Sequence, residues 1–115
     1  MLIKIGFDIT LECPYRTPMV LLLSVHPDRR ADILGDDAIV TTPGAALTRY
    51  HDKFGNLCHR LEAPAGAINL SASFAIADSG SPDPVNLGAE QIDVARLPHD
   101  ALQYLLPSRY CETDL

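Results

Sequence analysis

Apolar and polar positions alternate along the start of the chain. Ile3, Ile5, Phe7, Ile9 and Leu11 are apolar, while Lys4, Gly6, Asp8, Thr10 and Glu12 between them are polar or small. A period of two sends successive side chains to opposite faces, so residues 2–12 are predicted to form a half-buried strand. CPYRTP at residues 13–18 ends it, because Pro14 and Pro18 have no N–H to give to a sheet ladder. A turn or an edge crossing is expected there. Met19, Val20, Leu21, Leu22 and Leu23 are apolar without interruption, and a strand made of them needs cover on both faces.

Residues 28–37, DRRADILGDD, are polar and turn-rich, with room for one helical turn at most. AIVTT at 38–42 predicts a short strand stopped by Pro43 and Gly44. The runs ALTRYHD (46–52) and LCHRLEA (57–63) flank DKFGN and predict a β-hairpin, with Gly55 and Asn56 supplying the positive φ of its turn. Ile68, Leu70, Ala72, Phe74 and Ile76 alternate with small or polar residues and predict a long strand over 67–77. The texture then changes to DSGSPDPVNLGAEQ (78–91), a loop with little to bury. LPHDALQYLLP (97–107) predicts one short helix opened by Pro98 and closed by Pro107, with Leu102, Leu105 and Leu106 at helical spacing.

These elements predict an all-β fold: a β-sandwich or open barrel of about six to seven mainly antiparallel strands with one short C-terminal helix. A length of 115 residues, with 47% hydrophobic and 21% charged, fits a single soluble domain with its own core. There is no internal repeat. Nine Lys and Arg stand against fifteen Asp and Glu, a net charge of −6, and no basic run exceeds Arg29–Arg30. Nucleic acid and anionic membrane surfaces are therefore not expected partners. MVLLL, the longest apolar run, is far short of the ~20 residues of a membrane helix, and no signal-peptide pattern opens the chain. Cys13, Cys58 and Cys111 are an odd, widely spaced set and are expected to be reduced thiols in a cytoplasmic protein.

No residue set assembles a catalytic, cofactor or metal site. Cys58 and His59 are adjacent, so on a strand they point to opposite faces. His26, His51, His59 and His99 lack the paired ligand spacing of zinc and are expected at the surface. Asp78, Asp83, Glu90 and Asp93 surround the long loop, where solvation explains them. Cys111 lies between Arg109 and the acids Glu112 and Asp114, whose effects on a thiol oppose each other; it is expected to be a buried or linker cysteine.

The turn YHDKFGN, the segment LPHDALQYLLPSRYC and the opening amphipathic strand with its proline-containing turn resemble the N-terminal region of bacterial transglutaminase-like proteins, also described as cysteine proteases. The similarity spans the chain, and its most specific positions are Asp52, Phe54, Gly55 and Asn56 in the turn and Pro107, Ser108, Arg109 and Tyr110 at the exit. It implies that residues 1–106 form an accessory β domain and that 107–115 lead into a catalytic domain carrying a Cys, His and Asp triad. None of that triad maps onto this sequence, so the chain itself is expected to be noncatalytic. Met19 to Leu23 are the candidate interface, for the catalytic domain or for a second copy in a homo-oligomer. A different reading remains open: a free-standing module that binds a peptide or protein through an exposed sheet edge.

Overall fold

The computed structural model describes residues 1–112; residues 113–115 of the expected exit segment lie outside the described residues. The fold is all-β. Among the described residues seven strands form two antiparallel sheets and no closed barrel: β1 (Leu2–Cys13), β2 (Thr17–Leu21), β3 (Ile33–Leu34), β4 (Val40–Thr42), β5 (Thr48–His51), β6 (Leu57–Ala63) and β7 (Gly66–Ala77). The chain divides into two compact units, Met1–Ser81 and Pro82–Leu115. All seven strands belong to the first.

In the first sheet β7 is central, with β1 on one side and β3 and β4 in succession on the other. The β1–β7 pairing runs without a bulge from Leu2 opposite Ala77 to Cys13 opposite Gly66. The second sheet has the order β2, β6, β5. A single bent ribbon links the two sheets. Past the Cys13–Gly66 pair the chain turns at Pro14 and Pro64 and pairs again as β2 with β6, beginning at Thr17 opposite Ala63. Two prolines interrupt the ladder where it must bend, and Gly66 takes a φ of 104° that a side chain would resist.

Alternation then sets the core. Ile68, Leu70, Ala72, Phe74 and Ile76 of β7 are buried. Cys13, Leu21, Leu61, Ala63, Ile68 and Leu70 form one cluster drawn from both sheets, with Phe7, Met19 and Leu23 packed against it.

Several expectations are corrected. The second strand is shorter than the apolar run: β2 includes Pro18, begins at Thr17 and stops at Leu21, leaving Leu22 and Leu23 beyond it. Pro18 is tolerated because β2 is an edge strand. Residues 28–37 were expected to hold one helical turn at most; the 3-10 helix Pro27–Asp32 is six residues long, and Ile33 and Leu34 pair with Ile76 and Ala75 as a strand. The short helix expected between Pro98 and Pro107 is present, as a 3-10 helix over His99–Leu105 that follows a shorter one at Val94–Arg96. No helix among the described residues is long and apolar enough to cross a membrane.

Candidate functional site

The β5–β6 hairpin turn is organised by one carboxylate. Asp52 Oδ1 accepts from the N–H of Phe54 at 2.8 Å and of Asn56 at 2.9 Å, and its Oδ2 accepts from Asn56 Nδ2 at 2.9 Å. The main chain closes the loop: Asp52 donates to Asn56 C=O and Gly55 donates to Asp52 C=O, each at 3.1 Å. The Asn56 side chain, helped by the two backbone donors, holds the Asp52 carboxyl below its ordinary value. Gly55 alone takes positive φ, at 81°; Asn56, expected to share that role, instead supplies donors. His26 docks on the turn, with Nδ1 accepting from Asp28 N–H at 3.2 Å and Nε2 at 3.3 Å from Phe54 C=O. The four turn residues of the motif thus come together as a structural cap.

The other motif forms a separate local turn. Ser108 and Cys111 exchange main-chain bonds of 2.9 and 3.2 Å, and Pro107, Ser108, Arg109 and Tyr110 are all exposed. Cys111 is exposed as well, which of the two expectations for it, buried or linker, removes the buried one. Among the described residues no group of three or more His, Cys, Asp or Glu is placed to hold a metal ion.

Cys58 and His59 point to opposite faces of β6, and both are buried. Cys58 Sγ lies under the turn, 3.6 Å from Asn56 C=O and 4.0 Å from Asp52 Oδ2. His59 corrects the expectation of four surface histidines: it is 4% exposed, opposite Leu21 on β2 and Arg49 on β5. Among the described residues its Nδ1 has no hydrogen-bond partner. Burial pushes the imidazole below its ordinary value; Arg49 adds to the shift and Asp37 opposes it. The phase of LCHRLEA carried this signal, since Leu57, His59, Leu61 and Ala63 share one face.

The outer face of the second sheet is where apolar side chains meet water. Val20 and Leu22 are 56% and 58% exposed. A depression of about 380 Å³ is lined by Val20, Thr48, Tyr50 and Arg60. A neighbouring one of about 620 Å³ shares Val20, Thr48 and Arg60 and reaches Pro18 and Glu62. Together they form an open groove. Comparison with protein-family models, curated proteins and solved structures returns no match. The groove is therefore read from its own chemistry: Val20 and Pro18 offer apolar area, and Arg60 and the exposed Arg16–Glu62 ion pair of 2.7 Å supply charge at its margin. Desolvation, then the bond to Cys58, raises the Tyr50 hydroxyl above its ordinary value. Of the five candidate interface residues, Val20 and Leu22 are exposed, Met19 and Leu23 are half-buried against the core, and Leu21 is inside it. The sequence reading missed Thr48, Tyr50 and Arg60, which reach this face only through strand pairing.

Proposed function

We propose that this chain is a noncatalytic N-terminal accessory domain of a transglutaminase-like cysteine peptidase, docking on the Cys-His-Asp catalytic domain that follows it and shaping the cleft. The observation that carries this reading is the apolar outer face around Val20 and Leu22, which water covers in the domain alone. The motif residues support it by their roles: Asp52, Gly55 and Asn56 spend their bonding capacity on holding the turn. A docked domain would bury Val20 and Leu22 across an interface of ~600 to 1,500 Å². Free thiols at Cys13, Cys58 and Cys111 support a cytoplasmic setting.

The test is to express the whole gene with and without residues 1–115 and compare peptide hydrolysis and thermal stability. Loss of either on deletion is expected, and Val20→Asp with Leu22→Asp is expected to reproduce part of it. Equal behaviour of the two forms, or a stop codon directly after Leu115, sinks the proposal. A second reading, a free-standing module that captures a strand-like partner, is favoured by the outer edge of β1, which no strand among the described residues pairs.

A further inference from the structure

Four strands or strand pairs end the two sheets, and three of these edges are poor templates for another strand. β5 has four residues, β3 and β4 have two and three, and β2 has five with Pro18 among them. Short strands and prolines are the usual means of blocking edge-to-edge association. β1 has neither defence: it is twelve residues long, free of proline and, among the described residues, paired without a bulge on its inner side alone.

The hydrogen-bond phase shows which groups that edge presents. Met1 and Asp78 exchange both bonds, each 2.8 Å long, and antiparallel ladders alternate bonded with non-bonded pairs. Ile3, Ile5, Phe7, Ile9 and Leu11 therefore turn their amides toward β7. Leu2, Lys4, Gly6, Asp8, Thr10 and Glu12 turn theirs outward, and all six are exposed. The core-facing side of β1 is also incompletely covered: Ile3 and Leu11 are 40% and 39% exposed, and Ile5, Phe7 and Ile9 are half-buried.

The geometry points to a second copy of this chain as the occupant of the β1 edge, paired antiparallel about a two-fold axis through Gly6. In that register the outward-bonding residues meet one another, as the hydrogen-bond phase requires. Lys4 faces Asp8 of the second copy, and the symmetry repeats this ion pair. Ile5 faces Phe7 and Ile3 faces Ile9, so the half-covered apolar stripe continues across the axis. Neighbouring registers lose this match. With Phe7 on the axis, Lys4 meets Thr10 and Asp8 meets Gly6. With Ile5 there, Lys4 meets Gly6 and Asp8 meets Leu2. With Asp8 there, two carboxylates lie directly opposite each other, which destabilises a sheet. Asp8 can serve the pair while keeping its bond from Asn69 Nδ2, because that bond uses Oδ1. The result is an isologous dimer whose first sheet is continuous through both copies. It does not rest on docking at Val20 and Leu22, which uses the other sheet.

Sedimentation of the chain is expected to show a concentration-dependent dimer. Lys4→Asp, at an exposed position, is expected to weaken it by roughly tenfold or more, and Lys4→Asp with Asp8→Lys to restore it. In a dimer mixed from labelled and unlabelled copies, a nuclear Overhauser contact is expected between Hα of Ile5 and Hα of Phe7 across the interface, because non-bonded antiparallel pairs bring these protons together. A chain that stays monomeric, or a dimer without the Ile5–Phe7 contact, overturns the proposal, including the case in which the β1 edge binds some other strand.

Discussion

Asp52 and His59 are both titratable residues on the hairpin, yet their surroundings differ. Asp52 has acceptors matched to donors, so Asp52→Ala is expected to lower the urea midpoint more than Asp52→Asn, which keeps the Oδ1 bonds to Phe54 and Asn56. Gly55→Ala forces a side chain into positive φ and sets its Cβ 3.3 Å from His26 Nε2; a loss of about 1–2 kcal/mol is expected in the same measurement. His59 is the opposite case, a buried ring nitrogen with no partner among the described residues. Its proton is bound less tightly in the folded chain than in the unfolded one, so between the lowered value and the ordinary 6.5 the unfolded state carries more protons. The contribution is present above 6.5 and is lost as pH falls through that window. His59→Leu is expected to remove this pH dependence in urea unfolding on either side of 6.5, and to stabilise the neutral-pH fold by about 1 kcal/mol through loss of the unpaired nitrogen.

At the level of elements, β7 carries the fold. It pairs with β1, β3 and β4, and its inner face contributes Ile68 and Leu70 to the core cluster. Leu70→Ala is expected to cost about 2–5 kcal/mol in denaturant unfolding, whereas Ser73→Ala, on the exposed face of the same strand, is expected to cost little. β1 pairs along its whole length with β7 and leaves an edge open; β2 leaves a face open instead. These are different surfaces with different demands. An edge recruits a strand through main-chain bonds, and a face recruits any partner able to cover apolar area.

At the level of the whole molecule, the strands and their core lie within Met1–Ser81, and residues 82–93 form no strand or helix. A glutamate-specific protease is expected to cut early after Glu90, which is exposed in this stretch. The fragment containing Met1–Ser81 is expected to keep its two sheets, read as retained amide dispersion in NMR. Collapse of that dispersion would show that Pro82–Leu115 is needed for the fold of the first unit.

The local alternation of side chains determined much of this protein on its own. β1, β6 and β7 lie within a residue of the segments their patterns predict, and the hairpin turn lies where Gly55 and its neighbours place it. A period of two is a property of each strand's own sequence, so it survives without knowledge of neighbours. Which face gains cover, and from what, was decided by tertiary pairing. Ile3 and Leu11 keep the same phase as Phe7 but stay about two-fifths exposed, because Phe7 packs against the core cluster and they lie toward the ends of β1, outside it. Ile33 and Leu34 form a strand only because β7 passes beside them. The groove beside Val20 joins residues from β2, β5 and β6, and no local pattern brings those together.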